Sequence, residues 1–371
     1  MKKEIELSLG GKIEIKSKHK VTEKNLFQVY TPGMGEVVKE VANDLKKTDT
    51  LTWRGKLVAV VSDGSAILGL GNLGAEPALP VMEAKAVLFK EIGGINAVPI
   101  VLKTQDPKKI IEIVENIAPS FGGINLEDIS APNCFVVEET LKRKLNIPVF
   151  HDDQHGTAIV ILAGLINAMK VVKKKLSTAR IVISGAGAAG LATVKLLRKY
   201  GCRNFVIFDS KGAICKGRCG LNFEKKKIAQ VTNGEKFQGS METALKGADI
   251  FIGLSRANLL KAKDIEVMAK DSVVFALANP IPEIMPEEAR KGGAKIIATG
   301  RGDFPNQINN ALVFPGIFKG AFETDTRNIN DEIKLKTAKA IAGILKKPTA
   351  GNIIPKVLDK RVSKAIVGAF K

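Results

Sequence analysis

Four carboxylates in two short segments are the residues of this sequence best suited to chemistry. Ile124-Asn-Leu-Glu-Asp-Ile-Ser-Ala-Pro-Asn133 supplies Glu127 and Asp128, and His151-Asp-Asp-Gln-His-Gly-Thr157 supplies Asp152 and Asp153. Each acidic pair follows a short apolar run, as acids at the mouth of a buried strand do, and no lysine or arginine separates adjacent acids. Crowded carboxylates repel one another unless something positive holds them. A hard divalent cation such as Mg²⁺ or Mn²⁺, which takes oxygen ligands, does so. Taken alone, an acidic pair is more often a solvated loop feature, so the weight rests on what accompanies these two.

Two residues suited to proton transfer accompany them. Val29-Tyr30-Thr31-Pro32-Gly33 sets a phenol at the edge of a Pro-Gly turn, and Lys85 stands in the apolar helical segment from Val81 to Lys90. Burial lowers an amine's pKa and makes it available as a base, and a nearby metal cation acts in the same direction. Singly, each has a plainer reading: a packed tyrosine with its hydroxyl satisfied, and a lysine reaching out to solvent. His151 and His155 share the i, i+4 spacing of a zinc-binding helix face. H-D-D-Q-H lacks the glutamate of that motif, however, and Gly156 argues against a continuous helix there, so structural hydrogen bonding is the expected role.

A third constellation lies further along. Ala179-Arg-Ile-Val-Ile-Ser-Gly185-Ala-Gly187-Ala-Ala-Gly190-Leu reads as a strand, a glycine turn and a helix. Gly185 permits the turn, Gly187 lets a pyrophosphate approach the backbone, and Gly190 brings helix and strand together, with the pyrophosphate on the helix N-terminus. The pattern alone is weak. It gains force because Val206-Ile-Phe-Asp209 ends the next strand with an acid at the ribose position, close to the expected ~20 residues downstream. Asp209 facing the ribose hydroxyls favours NAD, whereas Ser210, Lys211, Lys216 and Arg218 offer partners for the extra phosphate of NADP. Both coenzymes stay open.

These groups need an α/β frame to position them. Apolar runs at 57–61, 97–102 and 147–150 alternate with helical patterns over Ala78–Ile92 and Pro107–Ile117. A second α/β unit starts near Ile181, with strands at 181–184, 205–208, 249–252, 273–277 and 295–298 and a buried helix over 157–172 leading into it. The expected fold is α/β in two domains. Residues 1–155 form a catalytic and metal-binding domain, and residues 156–371 form a Rossmann-type dinucleotide-binding domain with a helical tail from Asp331. Packing of that tail back onto the first domain is left open.

Composition narrows the class. A chain of 371 residues exceeds one ordinary core, and 45% hydrophobic with 26% charged residues is a folded-protein balance. The net charge of +19 is spread in short lysine clusters, and aromatic residues make up only 5%. Base-stacking platforms are therefore not expected, and neither are nucleic-acid or membrane partners. The four cysteines form no C-x-x-C pair, there is no stretch of signal-peptide type, and a cytoplasmic location is expected.

In order, the segments resemble a short-form malic enzyme nearly end to end. The matching blocks are Tyr30-Thr-Pro-Gly33, Ser62-Asp-Gly-Ser-Ala-Ile-Leu-Gly-Leu-Gly-Asn-Leu-Gly74, Met82-Glu-Ala-Lys85, Asn125-Leu-Glu-Asp128, His151 to Thr157, the glycine turn, Ala278-Asn-Pro280, Ala298 to Asn306 and Asn309 to Gly316. The resemblance implies Glu127, Asp128 and Asp153 as metal ligands with Asp152 beside them, Lys85 as general base and Tyr30 as general acid. It also implies that Asn279 and Asn310 contact the substrate or the nicotinamide end of the cofactor. The implied reaction is oxidative decarboxylation of L-malate to pyruvate and CO₂ with NAD or NADP and Mg²⁺ or Mn²⁺, with oxaloacetate decarboxylation as a side activity, in a homodimer or larger homo-oligomer. Three departures are Ala84 in place of the family's usual glycine, Gly302 where serine is common, and Met34-Gly35 after the Tyr-Thr-Pro-Gly block. The family's arginine in the Ser-Asp-Gly block is replaced by Ser65-Ala66, which leaves Ser65, backbone amides or a partner chain for the remote malate carboxylate.

Two other classes compete. An amino-acid dehydrogenase shares the two-domain plan and a catalytic lysine but leaves the acids without a task, and metal dependence separates the two. A dinucleotide- or malate-binding sensor without catalysis is disfavoured by the presence of all five reacting or metal-binding residues.

Overall fold

The computed structural model describes residues 2–371. The chain opens with an arm of four short helices, α1 (Lys3–Glu6), α2 (Leu26–Val29), α3 (Met34–Asn43) and α4 (Thr48–Leu51), none of which buries a residue. Strand and helix then alternate: β1 (Leu57–Ser62), α5 (Ala75–Leu88), β2 (Asn96–Val101), α6 (Pro107–Ile117), β3 (Gly123–Leu126), α7 (Asn133–Lys144) and β4 (Val149–His151). The four strands make a parallel sheet in the order β2-β1-β3-β4. β1, β3 and β4 are buried along their whole length, which is why their sequences are apolar without alternation. α6 shows how local chemistry sets the element ends: Asp106 caps it by accepting from the Lys108 amide, and Pro107 fills the first turn.

Register delivers the acids. Val61 pairs with Leu126, and Leu126 pairs with His151. Glu127 and Asp152 therefore leave neighbouring strands side by side at the C-terminal edge of the sheet.

The second unit comprises α8 (Asp152–Val171), β5 (Ile181–Ser184), α9 (Ala188–Tyr200), β6 (Phe205–Asp209), β7 (Gly212–Ala213), α10 (Phe223–Ala229), α11 (Met241–Leu245), β8 (Ile250–Gly253), α12 (Ala262–Glu266), β9 (Val273–Ala276), α13 (Pro286–Lys291) and β10 (Ile296–Thr299). Its sheet runs β10-β9-β8-β5-β6-β7, parallel except for β7. Strand order reverses between β5 and β8, and the strand ends diverge there into a crevice suited to a dinucleotide. The expected two-domain α/β fold with a Rossmann-type half is the fold observed.

One expectation is revised and one open point is resolved. α8 runs unbroken through Gly156, and the boundary placed at 155/156 falls inside it. A Cβ at Gly156 would lie 1.8 Å from Asp152 Oδ1, so the glycine is there to let the Asp152 carboxylate lie along the helix and does not interrupt it. The tail consists of α14 (Phe314–Glu323), α15 (Asp331–Gly343) and α16 (Lys360–Gly368), and it does return to the first domain. Phe314 and Phe318 pack on Phe89 with centroids 4.7 and 5.5 Å apart. Asn167 of α8 donates to Ala342 O and Ile353 O, both at 3.0 Å, fixing α15 along α8.

Candidate active site

β3 and α8 bring the acids together. Glu127, Asp128 and Asp153 each present an oxygen, and the three oxygens lie within 4.8 Å of one another. Glu127 and Asp128 are buried, and Asp128 Oδ2 has no hydrogen-bond partner among the described residues. Burial, with the Asp153 charge beside it, pushes the Asp128 carboxyl up to about 7, and the same two causes raise Glu127 well above the carboxylate range. Three crowded oxygens, one of them orphaned, fit a hard divalent cation by number, type and spacing.

Lys85 projects from α5 into the same space. Its Nζ lies 2.7 Å from Glu127 Oε2, bonds Asp152 directly and stands 4.2 Å from the Phe314 ring centroid. Burial works to lower its pKa, but the attractions of Asp152, Glu127 and Asp153 outweigh burial and raise it. The expectation of a neutral amine from burial alone is thus corrected: in the protein alone Lys85 is the ammonium partner of two carboxylates. Asp152 is fully buried, and burial, only partly offset by Lys85, lifts it to about 6.

The loop after β1 clasps the acids. Ala66 donates its amide to Asp128 O at 2.9 Å. Ser65 Oγ donates to Asp63 Oδ1 at 2.6 Å and accepts from the Ser130 amide at 2.8 Å. With its hydroxyl committed on both sides, Ser65 is a brace for the 128–130 segment and not a free donor for a substrate carboxylate.

The acids face a crevice of about 900 Å³ whose other wall comes from the second sheet: Leu254 and Ser255 after β8, Asn279 after β9, Arg301 after β10, then Asn309 and Asn310. Asn279 and Asn310 therefore line the same crevice as Lys85. Arg301 was not singled out from the sequence. Its guanidinium is held by Asp303 through Nε at 2.9 Å and Nη2 at 2.6 Å.

At the glycine turn, Gly185 adopts φ +108°, and a Cβ at Gly190 would meet Gly185 O at 1.8 Å. Gly187 lies at the start of α9 with nothing nearby. The strand, turn and helix N-terminus form the cradle that a pyrophosphate requires. Asp209 ends β6, but its carboxylate is taken up by Arg218 and Lys225.

Tyr30 stands apart from the acids and from Lys85. It follows α2 in the N-terminal arm, is 67% exposed and does not line the crevice. Leu26, Phe27 and Val29 beside it are exposed as well, as are Ile13, Ile15 and Trp53.

Glu138 of α7 escaped the sequence reading. It is buried and accepts from the His151 amide at 3.2 Å, Gln154 Nε2 at 3.1 Å and Lys142 Nζ at 2.5 Å, and it lies 2.8 Å from His155 Nε2. Burial pushes His155 down to about 3, so the ring is neutral and turns its N–H to Glu138. His155 has the structural hydrogen bond expected of it, whereas both ring nitrogens of His151 are buried without a hydrogen-bond partner among the described residues; Glu138 anchors the α8 turn that carries Asp152 and Asp153. A signal was present: Glu138 shares the apolar face of α7 with Cys134 and Leu141, an unusual place for an unpaired acid.

Comparison with known proteins places the chain in a family. Residues 10–142 match the malic enzyme N-terminal domain and residues 154–369 the malic enzyme NAD-binding domain. An NAD-dependent malic enzyme of Geobacillus stearothermophilus is 51% identical over 370 residues, which is 98% of this chain and 77% of the relative. An NADP-dependent malic enzyme of Halomonas elongata is 47% identical over 344 residues, 92% of this chain and 81% of the relative. The crystal structure of an NAD-dependent malic enzyme from Thermotoga maritima superposes with TM-score 0.96 at 48% identity, covering 100% of this chain and 99% of the other.

Proposed function

The chain belongs to the malic enzyme family, and on that premise we propose how its residues convert L-malate to pyruvate and CO₂ while NAD(P)⁺ is reduced. Glu127, Asp128 and Asp153 would hold the divalent cation, and the 181–190 turn would hold the dinucleotide. When bound, the cation supplies Lewis-acid stabilisation of charge developing on the substrate oxygen, and the dinucleotide accepts the hydride. With the charges of Glu127 and Asp153 balanced, two of the three attractions that hold the Lys85 proton are weakened and burial favours the neutral amine. Lys85, its proton released to solvent, then takes that of the malate C2 hydroxyl as hydride leaves C2. The C3–C4 bond breaks, CO₂ departs, and its electron pair passes to the enolate of pyruvate. Tyr30 delivers the proton to C3, and Asn279 and Asn310 orient the substrate and nicotinamide. Oxaloacetate decarboxylation is the second half of this sequence and is expected as a side activity.

The observation that carries this reading is the buried Lys85, clasped by Asp152 and Glu127 inside the three-acid cluster and facing the dinucleotide crevice. Because Tyr30 lies outside its own chain's crevice on an exposed apolar arm, we place it in the crevice of a second copy, in a homodimer whose contact buries that arm. No helix among the described residues is long and apolar enough to cross a membrane.

The test is absorbance of reduced nicotinamide with L-malate, Mn²⁺ and either coenzyme, alongside an EDTA control and a pyruvate assay. Metal-dependent reduction matched by pyruvate is expected. Absence of turnover from folded, metal-loaded protein with both coenzymes would overturn the assignment.

A further inference from the structure

The ribose end of the dinucleotide site departs from the plan in which a free acid greets the ribose. Asp209 Oδ1 accepts from the Lys211 amide at 2.9 Å, while Oδ2 accepts from Arg218 Nη2 at 2.5 Å and Lys225 Nζ at 2.7 Å. Only 8% of the Asp209 side chain remains exposed, against 18% for Arg218 and 22% for Lys225. Three of the carboxylate's roughly four acceptor positions are filled within the protein, and one negative charge faces two positive ones. Burial disfavours the Asp209 carboxylate, but these hydrogen bonds outweigh it and hold the group at about 2.

The two cations differ in freedom. Arg218 is built in, its Nη1 donating to Gly212 O at 2.8 Å and Ala213 O at 3.0 Å, which clamps the β6–β7 hairpin. Lys225 sits on α10, and its ammonium touches Asp209 alone among the described residues, which leaves two N–H donors unspent. A fixed guanidinium and a movable ammonium beside a neutralised acid suit a phosphate dianion, whereas an acid with most of its acceptor positions filled suits two ribose hydroxyls less well.

We propose that Arg218 and Lys225 form a subsite for the 2′-phosphate of an adenosine dinucleotide, so that this chain takes NADP⁺. The proposal rests on reading residues 181–209 as the dinucleotide site. Asp209 keeps the two cations in place in the absence of ligand, and Lys225 turns from it to the phosphate.

The test separates this subsite from the reaction by measuring binding of two fragments, adenosine 2′,5′-bisphosphate and 5′-AMP, by calorimetry on the full chain. The bisphosphate is expected to bind at least about 10-fold tighter, a gap of about 1.4 kcal/mol. Lys225→Ala is expected to close that gap while leaving 5′-AMP within about 3-fold, and Asp209→Asn, which removes the repulsion and keeps one of the two acceptor oxygens, to widen it. In turnover, Lys225→Ala is expected to lower kcat/KM for NADP⁺ about 10-fold and leave NAD⁺ largely unchanged. Equal binding of the two fragments by the unaltered protein would overturn the proposal. So would an equal loss for both fragments in Lys225→Ala. Failure of malate turnover with an intact fragment gap would count against the reaction and not against the subsite.

Discussion

The backbone amide of Asp128 donates to Asp153 Oδ2 at 2.8 Å, tying two of the three clustered acids together across two domains' worth of topology. Asp128 sits at φ +53°, a left-handed conformation that a side chain adopts only when its surroundings enforce it. Asp153 therefore has two tasks, offering an oxygen to the cluster and fixing the loop that carries its neighbour.

Those tasks separate by substitution. Asp153→Asn removes the charge but keeps an oxygen able to accept from the Asp128 amide, whereas Asp153→Ala removes both. Mn²⁺ affinity, read from free Mn²⁺ by electron paramagnetic resonance, is expected to fall about 100-fold or more in either variant. Only the alanine variant should also lose the roughly 1 kcal/mol of the hydrogen bond, lowering Tm by about 1 °C. Unchanged Mn²⁺ affinity in Asp153→Asn would remove Asp153 from the ligand set.

Lys85 can be divided in the same way between chemistry and support. Lys85→Met is expected to cut malate oxidation by about 10²–10⁴-fold while Mn²⁺ binding is retained or tightened, because a competing positive charge has left Glu127. Lys85→Arg keeps the charge but cannot give up its proton, and it should be equally inactive. Loss of Mn²⁺ binding together with activity would reduce Lys85 to a brace for the acids.

The placement of Tyr30 in a partner's crevice predicts complementation. Tyr30→Phe and Lys85→Met chains, each nearly inactive, are unfolded together and refolded as a mixture. If each crevice joins Lys85 of one chain to Tyr30 of the other, half of the dimers are mixed and one of their two sites is intact. The mixture should regain up to about a quarter of the original activity. A mixture as inactive as its components would put both residues to work within one chain.

Lys334 on α15 gives a pH signature remote from the acids. It is 7% exposed, and burial, reinforced by Lys142, pushes it down to about 8 against the opposing pull of Glu138 and Asp331. Its folded value lies below the ordinary lysine value, so between the two the unfolded chain binds more protons. Stability from this residue therefore rises as pH goes from about 8 to about 10.5. Lys334→Met is expected to be more stable at neutral pH by on the order of 2 kcal/mol, with that advantage shrinking by pH 9.5. Urea unfolding of both proteins at pH 7.5 and 9.5 checks this, and an advantage that stays constant across the two would contradict it.

Much of this architecture could be read along the chain, for identifiable reasons. Parallel strands buried on both faces leave continuous apolar runs, and the glycine turn leaves a spacing that few other structures need, so β1, β5, β6 and the 185–190 turn were legible. Glu127, Asp128 and Asp153 could be singled out because both acidic pairs follow apolar runs in segments that resemble the family's motifs, not because an acidic pair alone is telling. Through-space relations were not. The protonated state of Lys85 depends on Asp152, a partner 67 residues away, and burial was visible in the sequence where pairing was not. Lys225 lies 16 residues beyond Asp209, on a helix whose direction only the fold supplies. Gly156 misled because its closeness to the Asp152 carboxylate is a contact within the helix that composition cannot show. The exposure of Tyr30 is a property of where the arm runs, and a Pro-Gly turn looks the same on either path.

The unbroken course of α8 has a consequence for taking the protein apart. Its first turn carries Asp152 and Asp153, the next carries His155, held by Glu138, and its remainder lies against the Rossmann half and α15. A gene cut at 155/156 would sever the acids from the rod that aims them. The two halves are thus not exchangeable cassettes at that junction. A chimaera that trades one coenzyme-binding half for another should instead be spliced beyond the end of α8, between Val172 and Arg180, so that the acids stay with the α7 glutamate that anchors them.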